Sequence, residues 1–264
     1  MCGLYKHVRL GNGMKHPVVI DIQKELATCV NAIGGEVLDE VLVNPTFNNA
    51  DYWFPEHNVV AELKRLSENI LEKDGYKKKV TEMYWRWVRE ELIPKPIGNK
   101  IKFSTRNIPK KCAYEYVELF KKRLESSTVR KANTQIKETK KHFNAPTAKG
   151  LLLLANDGNL GFTPDMVAHL LASMLKNSYS SINSIIYFSA NHPVSQPGIE
   201  MPSHFWIDAF VQEREQVPKE LREKLQTEWM RNYSGLIEGP LYEVQMPNKA
   251  EAIDAIRFTK KPNE

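Results

Sequence analysis

Between Lys149 and Asn156 the chain reads Lys-Gly-Leu-Leu-Leu-Leu-Ala-Asn. Successive side chains of a strand point to opposite faces, so four consecutive leucines demand apolar cover on both sides. Strands of that kind belong to parallel sheets packed between helices. The residues that follow agree with this. Asp157-Gly158-Asn159 is a turn signature. Thr163 and Pro164 have the residue types of a helix cap and first turn, for a helix running to about Leu175. Ser184-Ile-Ile-Tyr-Phe-Ser189 is a second buried strand. Together they form a β-α-β unit, for which a right-handed crossover is expected.

Upstream, Pro17 to Ile33 reads as a helix, with Ile22, Leu26, Cys29 and Ile33 as its buried stripe and Gly34-Gly35 as its end. Glu36 to Val43 alternates as a strand, broken by Asn44-Pro45. Asp51 to Phe54 and Val59 to Lys64 read as a hairpin turning through Pro55-Glu56-His57-Asn58. Helices are expected over Leu63–Leu71, over Val80–Ile93 after a Lys-rich turn, and over Ala113–Leu124 and Lys131–His142, with an irregular basic loop from Pro94 to Pro109. Beyond the β-α-β unit, His204–Val211 and Leu241–Gln245 read as strands and Pro218–Tyr233 as a surface helix. A short last helix is expected around Ala250, Ala252 and Ala255. The whole is a single α/β domain over residues 1–264, with residues 66–148 a basic, mostly helical insertion between core strands.

The candidate chemistry lies in the hairpin. Glu62 and Lys64 share one face of their strand, and Leu63 points to the other. With Asp51 opening the partner strand, two carboxylates and an ammonium converge at one edge. Carboxylates are hard oxygen ligands suited to Mg²⁺ or Mn²⁺, and such a cation with a neighbouring lysine suits the hydrolysis of a phosphodiester. The alternative is a strand-edge ion pair in an unrelated α/β protein. A second acid-x-Lys triplet, Glu138-Thr-Lys140, sits in a polar helical run with no strand leading into it, and reads as helix surface.

Asp51 and Glu62-Leu-Lys64, with the flanking Ala-Asp-Tyr and Val-Val-Ala-Glu-Leu-Lys, resemble the PD-(D/E)xK nuclease superfamily, and the likeness covers roughly the first 66 residues. The resemblance implies a restriction-endonuclease-like mixed central sheet flanked by helices. It also implies a Mg²⁺- or Mn²⁺-dependent deoxyribonuclease, acting in defence, restriction or repair. It makes Asp51, Glu62 and Lys64 catalytic, and adds the Leu63 carbonyl to Asp51 and Glu62 as metal ligand. An acid on the first helix often supports such a site, which points to Glu25, with Asp21 and Glu36 as fallbacks. In some relatives a basic helix meets the substrate backbone, which points to Gln135, Lys137 and Lys140. The alternative within the same fold is a nucleic-acid-binding module, inactive or active only with a partner.

Charge distribution favours a polyanionic partner. Lys100 to Lys149 holds 14 Lys and Arg against 4 Asp and Glu, a local +10 in a chain whose total is +5. A patch of that density gives salt-dependent, largely sequence-independent affinity for nucleic acid, and the family resemblance makes DNA the expected one. A homodimer or a partner subunit is left open. Three cysteines (Cys2, Cys29, Cys112) without a Cys-x-x-Cys pair argue against a disulfide scaffold or a zinc site. His192, His204 and Asp208 have metal-binding types but no recognised ligand spacing. The longest apolar run, Leu151 to Ala155, is far short of a membrane span, and the first residues lack a secretory apolar segment. A cytoplasmic protein without membrane contact is expected.

Overall fold

A computed structural model describes residues 5–10, 19–96, 104–105, 107–159, 161, 163–193, 204–211, 213–236 and 241–244. In chain order the elements are β1 (Tyr5–Leu10), α1 (Ile22–Ala32), β2 (Glu36–Val37), α2 (Leu38–Val41), β3 (Tyr52–Phe54), β4 (Val59–Leu66), α3 (Asp74–Arg89), α4 (Lys110–Leu124) and α5 (Arg130–His142). They continue with β5 (Lys149–Asn156), α6 (Pro164–Asn177), β6 (Ser184–Ser189), β7 (His204–Phe210), α7 (Lys219–Leu236) and β8 (Leu241–Val244). The strands form one mixed sheet in the order β2-β3-β4-β5-β6-β7-β1-β8. Within it β4, β5 and β6 run parallel. The β2–β3–β4 side and β7, β1 and β8 are added antiparallel.

The leucine run sits at the centre of this sheet, and its two parities enter two different cores. Leu152 and Leu154 pack with α4, α5 and α6, whereas Leu151, Leu153 and Ala155 pack with α1 and α7. β6 divides the same way, with Ile185 and Tyr187 on one face and Ile186 and Phe188 on the other. A strand with apolar residues on both parities therefore finds cover on both sides, as its composition requires. Helix starts follow local chemistry too. Asp21 Oδ1 accepts from the Gln23 and Lys24 N–H groups at 3.1 and 3.3 Å, and Thr163 Oγ1 accepts from Met166 N–H at 3.4 Å. Gly34, at φ 80°, ends α1 in the left-handed conformation its lack of Cβ allows.

Several elements depart from the sequence reading. α1 starts at Ile22 behind the Asp21 cap, while Pro17 lies outside the described residues. The expected strand Glu36–Val43 is a two-residue strand followed by the helical turn α2. Leu38 and Leu42, four apart, face the core, and Val41 and Val43 are exposed, so helical spacing wins over alternation. No helix covers Leu63–Leu71. β4 runs to Leu66 because it pairs with β5 as far as Asn156, and only a single 3₁₀ turn, Ile70–Glu72, follows. Lys77–Lys79 lie inside α3 and not in a turn. α4 and α5 are joined through one π turn, Glu125–Val129, and their apolar residues belong to the core that receives Leu152 and Leu154. α7 is no surface helix, since Leu221, Leu225, Trp229 and Tyr233 are buried against the opposite face of the sheet. β1 has no counterpart in the sequence reading, and the short last helix lies outside the described residues.

Gly150 marks the tightest backbone approach near the centre. Its N–H donates to Asn183 Oδ1 at 2.8 Å, and its carbonyl accepts from Asn183 N–H at 2.8 Å. A Cβ here would lie 1.9 Å from the Ser181 carbonyl oxygen and 2.9 Å from Ile136 Cγ2. Gly150→Ala therefore forces β5 away from the Ser181 backbone and costs about 3 kcal/mol, the upper end for overpacking. A melting curve checks this, and an unchanged midpoint contradicts the packing described.

Candidate active site

The β3–β4 hairpin builds the site. Its turn is a 3₁₀ turn, Pro55–His57, closed by Asn58 at φ 50°. In the antiparallel register Tyr52 faces Ala61, which brings Asp51, one residue earlier, opposite Glu62. The structure fastens this arrangement, since the Leu63 N–H donates to Asp51 Oδ2 at 2.7 Å. Lys64 Nζ donates to Glu62 Oε1 and, at 2.7 Å, to Gln135 Oε1 on α5. Gln135 Nε2 in turn donates to the Asn49 carbonyl at 2.9 Å, and Thr139 Oγ1 accepts from Ala50 N–H at 2.7 Å. α5 thus clamps the segment that delivers Asp51 and holds the Lys64 head group with the same residue.

The electrostatics are unusual for a structural ion pair. Glu62 is 1% exposed, and its Oε2 is buried without a hydrogen-bond partner. Burial, and then the neighbouring Asp51 charge, push the Glu62 carboxyl up to about 8 despite Lys64 beside it. Burial also raises Asp51, opposed by the Leu63 N–H and by Lys64. With its carboxyl pushed up to about 8, Glu62 keeps its proton at neutral pH, so the Asp51 and Lys64 charges balance and the Glu62 Oε2 is left without a hydrogen-bond partner. Among the described residues no three His, Cys, Asp or Glu side chains gather as a metal-binding group. Asp51 and Glu62 are the two side chains here of a type that could hold Mg²⁺, which keeps several of its waters.

Asp51, Glu62, Lys64 and Gln135 come together, and the other candidates go elsewhere. Leu63 engages the site through its N–H. Glu25 accepts from Asn232 Nδ2 at 2.9 Å, across the α1–α7 contact. Lys137 is exposed. Lys140 Nζ donates to the Ser181 carbonyl at 3.0 Å, and burial lowers its ammonium to about 8. Asp21 caps α1, and Glu36 is half-buried in β2. In the second triplet, Glu138 accepts from the Asn48 N–H at 3.2 Å, so that copy lies on α5 and braces the loop before Asp51. His204 is held between Ser189 Oγ and Tyr233 Oη, each at 3.1 Å, and Asp208 pairs with Arg222. The clamp through Thr139 was not anticipated. Its trace in the sequence is a four-residue step from Gln135, which puts both on one side of a helix.

Comparison of the chain with protein-family models, with curated proteins and with solved structures finds no match. What the structure defines is a mixed α/β protein whose central sheet, covered by helices on both faces, carries an Asp–Glu–Lys cluster around the buried Glu62. No helix among the described residues is long and apolar enough to cross a membrane.

Proposed function

We propose that the protein is a metal-dependent nuclease of the PD-(D/E)xK type that hydrolyses phosphodiester bonds in DNA. The observation that carries this reading is the Asp51–Glu62–Lys64 cluster, in which the buried Glu62 carboxyl has one oxygen without a hydrogen-bond partner. The order from α1 through the short strands β2 and β3 to β4, and after the helices α3–α5 the strand–helix–strand unit β5–α6–β6, with β4, β5 and β6 parallel, supports a restriction-endonuclease-like arrangement. The basic stretch from Lys100 to Lys149 supports a polyanionic substrate.

Asp51 and Glu62 would hold a divalent cation, which when bound supplies charge neutralisation at the phosphate and makes a nearby water more acidic. The Leu63 N–H keeps Asp51 turned toward Glu62. Lys64 is positioned to orient the attacking water and to offset negative charge that builds on the phosphoryl oxygens in the transition state. Gln135 fixes Lys64 in that role, a matter of positioning. Gln135→Ala is expected to lower kcat about tenfold to a hundredfold with little change in KM, as steady-state cleavage would show. Metal linkage is the direct test. Mg²⁺ or Mn²⁺ raises the melting temperature of the wild-type protein and not that of Asp51→Ala. No shift in the wild type at millimolar metal contradicts the reading.

A further inference from the structure

From Lys110 to His142 the backbone stays helical without a break, since α4, the π turn Glu125–Val129 and α5 are 15, 5 and 13 residues long and follow one another directly. At 1.5 Å per residue the run is about 50 Å long. Val117, Phe120 and Leu124 on α4 and Ala132 and Ile136 on α5 belong to one core, so both halves turn their apolar side to the sheet. The other side is open to solvent. It carries Lys111, Lys122, Arg123, Lys131, Lys137 and Lys141, all exposed. From the first of these to the last is about 45 Å.

The charges of this run are unbalanced. It holds ten Lys and Arg against four Glu, and each of those acids is already engaged. Glu115 pairs with Arg86 and accepts from Trp87 Nε1 at 2.8 Å, and Glu118 pairs with Lys121. Glu125 accepts from the Tyr179 hydroxyl, and Glu138 from the Asn48 N–H. The six exposed cations have no ion-pair partner among the described residues. No Trp, Tyr or Phe of the run is exposed, so nothing there offers a platform for unpaired bases. Among the described residues the large exposed apolar side chains, Val19, Val41, Val43 and Trp85, all lie elsewhere, so the face has no apolar anchor for a lipid surface. A line of cations without stacking or apolar groups matches the phosphate backbone of a duplex, whose bases are already paired.

We propose that this helix face is a docking surface for duplex DNA, held through its phosphates over about 13 base pairs at about 3.4 Å each. The face leads into the candidate site, because Gln135, in the same run, holds Lys64 Nζ at 2.7 Å. Lys111 lies about 36 Å from Gln135 along the helix, out of reach of the scissile bond. This rests on the nuclease reading for what happens at Lys64, and it sets the substrate class: duplex DNA long enough to lie along the helix as well as enter the site. Cations so far from the chemistry hold substrate and transition state alike, a uniform binding that shows in KM and not in kcat.

The test is fluorescence anisotropy in EDTA across a salt series, alongside cleavage assays in Mg²⁺. The labelled probes are a duplex of about 20 base pairs, a hairpin of about 8, and a single strand of the longer sequence. The wild type is expected to bind the long duplex at least about tenfold more tightly than either of the others. With Lys122→Gln and Lys131→Gln combined, both at exposed positions, the log–log salt slope for the long duplex falls by about two, since each lost phosphate contact removes about 0.9. Lys111→Gln raises KM for cleavage and leaves kcat unchanged. A folded double variant with the wild-type slope overturns the docking surface, even if cleavage persists. So does a single strand or short hairpin bound as tightly as the long duplex, or wild-type binding to phosphatidylserine vesicles without binding to the duplex. A reduced slope in the double variant without any wild-type cleavage upholds the surface and overturns the nuclease reading instead.

Discussion

Glu62→Gln is expected to lower metal-dependent DNA cleavage by at least about a thousandfold, the scale on which a charged group acting at a developing transition state is lost. The same change stabilises the metal-free protein. Glu62 is buried beside Asp51, and its carboxyl stands at about 8 against an ordinary 4.5. A group whose folded value is raised contributes stability that is present below its ordinary value and is lost as the pH climbs toward 8. The metal-free wild type therefore loses stability between about pH 5 and 8 through this residue, and the amide removes that part of the slope. Denaturant melts at the two pH values, run beside initial cleavage rates, check both halves. A Gln variant that cleaves normally, or whose pH slope equals that of wild type, contradicts the role given to Glu62.

Arg222→Leu is expected to produce the largest loss of stability, about 3–5 kcal/mol, because it leaves a buried carboxylate alone. Asp208 on β7 and Arg222 on α7 are 8% and 6% exposed and form an ion pair. Arg222 Nε also donates to the Val217 carbonyl at 3.2 Å, and its guanidinium lies 5.3 Å from the centre of the Phe210 ring. Burial already pushes the Asp208 carboxyl up, with Arg222 opposing the shift. Adding Asp208→Asn to Arg222→Leu recovers much of the loss, since the unpaired charge is gone. A single variant as stable as wild type contradicts the account of how α7 is fixed to the sheet.

The parts of the fold visible in the sequence are those whose signal is local. The leucine run, the capped helix after it and the proline turn of the hairpin each carry their own chemistry, and β5, α6 and the β3–β4 pair lie within a residue or two of where they are expected. Glu36–Val43 misleads because it has apolar residues on both parities, so the step from Leu38 to Leu42 competes with alternation. β4 outlasts Lys64 because of pairing with β5, more than eighty residues away, and no local pattern announces that register. α7 shows its stripe at four-residue spacing from Leu221 to Tyr233, but which surface it covers depends on a sheet assembled elsewhere.

The site divides in the same way. Asp51, Glu62 and Lys64 are legible because one hairpin holds all three. Gln135 is placed correctly on a basic helix, yet its contact is with Lys64, 71 residues distant, where substrate backbone was expected. Lys140 has the type for phosphate binding and spends its ammonium on the Ser181 carbonyl instead. Helix spacing alone cannot tell these fates apart, because they are decided by which strand each side chain meets.

Cleavage itself decides the central claim. Purified protein is incubated with single-stranded and linear duplex DNA in Mg²⁺, Mn²⁺ or EDTA, beside Lys64→Ala. The account predicts cleavage that requires the metal and disappears in the variant, while both proteins melt as folded. Cleavage that persists in EDTA, or equal cleavage by Lys64→Ala, would contradict it.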